Sequence, residues 1–407
     1  MVQLFQWMVV GRLGECNHDH IMFFKFLKSK RKLIVFVKNR LVSTDAIMPL
    51  LIEMKEVYGV QSDIIVFDKL AHEGINENVV IRDALKYIGK EIYITKGKSS
   101  RVLRRVHSMF SLFSITYDAF RGAKILHFGI LDQWPLNVLG GIFKENVYHI
   151  QSNAYNFDKF KFKFKNKLID KYTLTGNNLV SFGSKYIKGR HIYDYESTKV
   201  FEFGPPKKRN NWLQYIYNKS DYYFNYYHND IDTSKGVIVL IMSSLDGCAP
   251  LLREGVENKQ VKLFLETLEV LLEFEIPILV KPHVYTNMTL LNSLIDNKGG
   301  IYITQLHPSI LATKSRMFIA NQFSNTLADA HSLGITTIEY TDYSEEMLKE
   351  TRGKSISSIF VNHFINNDIN HFKKIVSNIL KKDFFFKKVS GRYEDKSGLL
   401  LHLSTFK

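Results

Sequence analysis

Apolar runs of strand length recur along this chain, separated by segments whose apolar residues repeat at helical spacing. In the first half the runs are LIVFV (33–37), DIIVF (63–67), EIYIT (91–95), KILHFG (124–129), VYHIQS (147–152), LVSFG (179–183) and KVFEFG (199–204). The second half adds GVIVLIM (236–242), IPILV (276–280), GIYIT (300–304), RMFIA (316–320) and ITTIEY (335–340). Helical spacing over 44–58, 135–144, 257–274, 287–296, 325–333 and 364–381 predicts helices between or after them. Near-continuous apolar strands alternating with helices predict parallel sheets covered on both faces.

The pattern pauses once. GPPKKRNNWLQYIYNKSDYYFNYYHNDIDTSKG (204–236) is rich in Pro, Asn and Lys, shows no clear period, and divides the chain near its middle. The expected organisation is an N-terminal domain over 1–210, a connection over 211–235, a second domain over 236–363, and a C-terminal helix and tail over 364–407. Two doubly wound, Rossmann-like α/β domains separated by a cleft follow, with ligands expected beyond the carboxyl ends of the strands.

Length agrees, because 407 residues are too many for one small core. Hydrophobic residues make up 45% of the chain and aromatic ones 13%, which excludes a disordered protein. No window of 18 uncharged apolar residues occurs, so no membrane-spanning helix is expected. The start, MVQLFQWMVVGRLGE, lacks the basic region and cleavage pattern of a signal peptide, and a cytoplasmic location is expected. Cys16 and Cys248 are too few for a disulfide framework or a thiolate metal site. A net charge of +15 favours anionic partners such as nucleotide phosphates or acidic membrane surfaces. Zinc-finger spacing, an RNP pattern and a helix-turn-helix are all missing, so nucleic acid is not the expected partner.

Three strand ends carry candidate chemistry. ILVKPHVYTN (278–287) puts Lys281, Pro282 and His283 after an apolar run, where a histidine can donate to a phosphate oxygen within the field of Lys281. Taken alone, it reads more simply as a strand-ending proline beside a surface histidine. FIANQFSNTLADAHSLGITTIEY (318–340) places Ser324, Asn325 and Thr326 at a helix start, with Asp329 in its early turns. Ser324 fits an N-cap, and hydroxyls with free amides at such a start suit an anion. VIVLIMSSLDGCAP (237–250) ends in an Asp246-Gly247 turn, whose carboxylate can act as base or nucleophile or close a plain turn. In the first half, HFGILDQWPLN (127–137) offers Asp132 with Trp134 for a sugar acceptor, or equally a helix entry with Trp134 packed inside.

Two basic-aromatic stretches remain. FDKFKFKFKNK (157–167) alternates Phe and Lys, and ILKKDFFFKK (379–388) sets three phenylalanines between lysine pairs. Either suits peripheral contact with an anionic membrane, and a core-facing Phe row with solvated lysines accounts for the first equally well.

Over roughly 235–345 the order of pieces resembles the nucleotide-binding half of the GT-B glycosyltransferases that build bacterial surface polysaccharides. The matching pieces are the strand and LDG loop, the strand ending in KPH, QLHPSIL (305–311), the FSNT cluster and GITTIEY. KVFEFGPPK (199–207) is similar to the turn that closes the first half of such enzymes. The resemblance extends to CMP-sugar-dependent sialyltransferases, Kdo transferases and CDP-polyol phosphotransferases. It implies that His283, Ser324, Asn325 and Thr326 hold the donor's nucleotide and phosphate, beside the positive field of Lys281, with no metal or further cofactor. It makes Asp246 the acid at the reaction centre and leaves Asp132 as the reserve base. Val284 stands where the family has Pro, and FSNT is not the family's double serine.

The implied activity is transfer of a sugar, sialic acid or Kdo from a CMP donor, to a glycan or glycolipid of lipopolysaccharide, lipooligosaccharide or capsule. The implied place is the inner face of the cytoplasmic membrane. A CDP-polyol phosphotransferase or a UDP-, GDP- or dTDP-sugar transferase is the alternative of the same fold. A non-catalytic protein binding nucleic acid or membrane through its charge is the alternative of another class.

Overall fold

The computed structural model describes residues 32–37, 41–94, 101–129, 131, 136–151, 176–182, 198–242, 245, 258–283, 286–296, 298–386, 388–389 and 395–406. Seven strands of the first half form one sheet: β1 Lys32–Phe36, β2 Gln61–Val66, β3 Gly89–Tyr93, β4 Lys124–His127, β5 Val147–Gln151, β6 Asn178–Ser181 and β7 Lys199–Glu202. Their order is β3-β2-β1-β4-β5-β6-β7, and every pairing is parallel. Six strands of the second half form another: β8 Val237–Ile241, β9 Ile278–Lys281, β10 Ile301–Ile303, β11 Ser315–Ala320, β12 Thr336–Thr341 and β13 His363–Asn366. That order is β10-β9-β8-β11-β12-β13, again all parallel. Both sheets reverse direction beside their first strand, and a doubly wound sheet opens a crevice at the carboxyl ends there.

Helices cover the faces. In the first half they are α1 Leu41–Tyr58, α2 Lys69–Glu77, α3 Val79–Ile88, α4 Arg101–Phe120 and α5 Leu136–Ile142. Then follow α6 Asn210–Tyr227, α7 Lys259–Leu272, α8 Met288–Ile295, α9 Pro308–Ala312, α10 Thr326–Ser332, α11 Glu345–Thr351, α12 Ile369–Leu380 and α13 Leu399–Ser404. Central strands β1 and β8 are buried along their whole length, which is why they lack polar alternation.

The halves are joined by packing as well as by chain. One apolar cluster runs from Leu33 and Val35 through Trp212 and Ile216 to Leu306, Ile310 and Leu327. Helix α6 sits at its middle, and the Trp212 ring meets His307 edge-on at 5.8 Å. The aperiodic connection expected over 204–236 therefore contains an 18-residue helix. Its buried positions 212, 213, 216, 220, 223 and 224 do follow helical spacing. Tyrosines at 215, 217, 222, 223, 226 and 227 lie on buried and solvent sides alike and hide that contrast in the sequence.

The end of the chain also departs from expectation. The helix expected over 364–381 is the strand β13 followed by α12. Asn367 takes a left-handed φ of 52° between them, and Asp368 caps α12 by accepting from the His371 N–H at 2.9 Å. With only Phe364 and Ile365 apolar, the strand merges into the helical pattern. Beyond it, Phe384 lies under the Arg316 guanidinium at 5.7 Å and Phe386 meets Tyr217 edge-on at 5.7 Å. Packing thus uses two of the three phenylalanines offered to a membrane; Phe385 remains, 82% exposed. The Phe-Lys stretch 157–167 lies outside the described residues. Finally α13 returns to the first half, where His402 contacts Tyr148 and Phe201.

Candidate active site between the two sheets

Charged side chains from both halves meet beyond the carboxyl ends of the strands. Lys281 is the last residue of β9, held in register opposite Ile241 of β8. Asp329 lies in the first turn of α10, the helix that follows β11. His307 caps α9 after β10, with Pro308 at the first helical position. From the first half come Asp45, in α1 after β1, and Lys207, in the 3-10 turn Pro206–Lys208 after β7. Each of these positions follows from strand-end geometry, since the chain must leave a parallel strand here to begin its crossover.

Lys207 Nζ donates to Asp45 Oδ2 at 2.6 Å and to Asp329 Oδ1 at 2.7 Å, so one ammonium bridges the two halves. Ser309 Oγ donates to the same Asp329 oxygen. His307 Nδ1 accepts the Ser309 N–H at 3.1 Å, which leaves Nε2 to donate to Asp45 Oδ1 at 2.8 Å. Both imidazole nitrogens are therefore used, and His307 acts as a clamp between domains with a fixed tautomer. Close by, Arg209 makes a two-point pair with Glu53 and lies over Phe203 at 4.3 Å.

Burial works against the charge of Lys207, and Asp329 and Asp45 outweigh it, so the ammonium is held above its ordinary range. Burial would likewise raise Asp45; Lys207 and His307 outweigh it and hold the carboxyl below the usual range. Lys281 differs. Burial lowers it to about 8, and the charges of Asp329 and Asp45 offset this only in part. No hydrogen bond or ion pair joins its ammonium to the described residues. It is a cation within the field of two carboxylates already engaged by Lys207, Ser309 and His307.

The residues expected from the sequence fall into four groups. Lys281 belongs to this cluster. His283 stands two residues beyond it on an exposed turn, where its N–H donates to Thr286 Oγ1 and its carbonyl accepts from the Thr286 N–H, both at 2.9 Å. Ser324, Asn325 and Thr326 begin α10, one turn before Asp329. The cap position there falls to Asn325, already in helical backbone, while Ser324 Oγ accepts the Thr326 N–H at 3.2 Å. Asp246 and Asp132 lie outside the described residues.

Sequence reasoning missed Asp45, Lys207 and the interdomain role of His307 and Asp329. His307 and Lys207 stood inside quoted motifs, QLHPSIL and KVFEFGPPK. Asp45, inside α1 and nine residues past the end of β1, carried no such signal. Among the described residues no group of three or more His, Cys, Asp or Glu could hold a metal ion.

No protein-family model matches the chain, and no curated protein sequence matches it. Solved structures do share its fold. UDP-GlcNAc 2-epimerase from Methanocaldococcus jannaschii aligns with a TM-score of 0.53 at 15% identity, over 90% of this chain and 97% of that one. UDP-GlcNAc 2-epimerase from Neisseria meningitidis, bound to UDP-GlcNAc, aligns at 0.52 and 13% identity, over 91% and 98%. Arabidopsis thaliana UGT89C1, complexed with UDP, aligns at 0.50 and 11% identity, over 92% and 100%. The chain has a GT-B fold of two Rossmann-like domains. At such identities the likeness is one of fold.

Proposed function

We propose that this protein is a glycosyltransferase that binds a nucleotide-activated sugar in the cleft between its sheets and passes the sugar to a glycan or glycolipid. The observation that carries the reading is Lys281: a half-buried ammonium at the carboxyl end of β9, with no hydrogen bond or ion pair to the described residues. In the proposed mechanism Lys281, His283 and the Ser324–Thr326 helix start offset charge on the departing nucleotide phosphate. Fixed donors in a desolvated site act electrostatically without reorganising. Asp246 deprotonates the acceptor hydroxyl or engages the anomeric carbon, and Asp132 is the reserve base. The division at 211–235, with the donor bound by 236–363, belongs to the same proposal.

A CMP-activated sialic acid or Kdo donor, and a role in bacterial surface polysaccharide, rest on the sequence resemblance. The uridine nucleotides named in the fold neighbours support the UDP-sugar alternative. Thermal shift against CMP, CDP, UDP, GDP and dTDP separates the donors. A ligand present at 100 times its Kd stabilises the folded state by about 2.7 kcal/mol. UDP is expected to give the largest shift, and His283→Ala to reduce it while the protein stays folded. No shift with any nucleotide would remove the reading. Incubation of the UDP-sugar with and without acceptor then distinguishes transfer from epimerisation.

Peripheral membrane contact is part of the proposal, at the inner face of the cytoplasmic membrane. No helix among the described residues is long and apolar enough to cross a membrane. Support comes from α4 and α5, where Met109, Phe110, Phe113, Tyr117, Phe120, Val138 and Ile142 are exposed. Phe120 touches Phe143 edge-on at 4.9 Å and joins the two helices into one patch. The sole acid of α4, Asp118, is buried against Lys32, so this helix presents no exposed carboxylate to anionic lipid. Sedimentation with phosphatidylglycerol vesicles is expected to bring the protein down, and Phe110→Ser with Phe113→Ser to leave it in solution. Equal sedimentation of both would sink the contact.

A further inference from the structure

The opposite end of the second sheet carries a feature that the cleft does not use. A cavity of 420 Å³ opens at the amino ends of β12 and β13, lined by His331, Gly334, Ile335, Thr336, Asn362 and His363. It is set in the fold by three adjoining pieces. His331 lies in the last turn of α10, the left-handed Gly334 (φ 74°) turns the chain into β12, and Asn362 leads into β13. The helix that carries Asp329 at its cleft end therefore carries His331 at the cavity end.

Hydrogen-bond donors dominate the lining. Asn362 Oδ1 accepts from the N–H and the hydroxyl of Thr337, both at 2.9 Å. That fixes the amide and leaves its Nδ2 without a hydrogen bond to the described residues. His331 Nδ1 is buried with no hydrogen-bond partner among the described residues, its ring edge-on to Phe360 at 6.1 Å. Thr336 and His363 add a hydroxyl and an imidazole. None of the six lining residues is acidic.

The surroundings are cationic as well. Burial first, and then Lys208, lower the pKa of His331. Burial, His371 and Lys382 do the same to His363. Imidazoles depressed first by burial and then by neighbouring positive charge, beside an amide with unspent donors, form a site that a bound anion would complete. A buried polar atom without a partner is costly, and a bound acceptor removes that cost. The volume exceeds that of a bare phosphate and lies within the range of small-ligand sites.

We propose that this cavity binds a small phosphate-bearing anion, as a site separate from the interdomain cleft. The phosphate oxygens would accept from Asn362 Nδ2, the Thr336 hydroxyl and the imidazoles of His331 and His363.

Titration calorimetry with inorganic phosphate tests the site. Because the cleft is itself expected to take phosphate, the titration is repeated in Lys281→Met, where cavity binding should persist. Thr336→Val, nearly isosteric, and His363→Ala are each expected to weaken that remaining binding about tenfold, the effect of losing one hydrogen bond to a charged group. Tungstate, an anomalously scattering phosphate analogue, soaked into crystals should appear between His331 and His363. Tungstate found in the cleft alone, or phosphate binding unchanged in both variants, would overturn the proposal. If His363→Ala fails to fold, Thr336→Val decides the matter.

Discussion

Lys32 and Lys207 each sit between two aspartates, and the two groups stand at opposite ends of the first sheet. Lys32, the first residue of β1, holds Asp63 of β2 and Asp118 of α4. Lys207, beyond the end of β7, holds Asp45 and Asp329. The compositions are identical, but the consequences differ. All three members of the first group belong to one domain and are nearly inaccessible. The second group takes its carboxylates from two domains, adds His307, and leaves Lys281 in their field without a hydrogen bond to the described residues. A closed ion group is a structural joint; one with a cation left over can also receive a ligand.

The largest test of this contrast is Lys32→Met. Removing one partner of a buried group strands its opposite charges, which costs about 3–5 kcal/mol. Urea denaturation should show that loss, with nucleotide affinity of the folded fraction unchanged. Lys207→Met should cost less, about 2 kcal/mol, because Lys207 and Asp45 are more accessible and the joint lies between domains. It should also alter nucleotide affinity, since it releases Asp45 and Asp329 beside Lys281. Equal stability losses, with affinity untouched by either change, would erase the distinction.

The same contrast explains what the sequence revealed. All seven strands of the first sheet and five of the second were legible, because buried parallel strands read as unbroken apolar runs such as LIVFV and GVIVLIM. β13 was not, because HFIN is too short and half polar. Helix α6 was hidden by tyrosines, whose rings are buried on one side of the helix and exposed on the other. In the site, Lys281 was legible as a charge placed directly after an apolar run. Asp45 and Lys207 were not, because what makes them notable is their meeting across 162 residues. Local patterning reports which face of an element is buried; it does not report which strand ends face each other. Lys32 illustrates the converse, since its charge also adjoins an apolar run, yet it stands at the amino end and serves only the core.

The finest test concerns the protonation of Lys281. Its ordinary value of 10.5 falls to about 8 in the folded chain, chiefly through burial. Below pH 8 folded and unfolded chains both carry the proton, and the cost of the buried charge is present in full. Between about 8 and 10.5 the unfolded chain binds the proton and the folded chain does not, so stability rises with pH across that window. Ligand affinity runs the other way, because a phosphate needs the ammonium. Nucleotide affinity should therefore decline as pH rises beyond 8. Lys281→Met should bind about tenfold more weakly, the loss of one charge-assisted contact, with that decline abolished. Lys281→Arg keeps its charge throughout and should show no decline up to pH 9.5. Lys32, which its two aspartates outweigh burial to hold above its ordinary value, should contribute nothing to either profile in this range. A wild-type affinity flat from pH 7 to 9.5 would mean that the cation left over in the cleft is not the one that meets the phosphate.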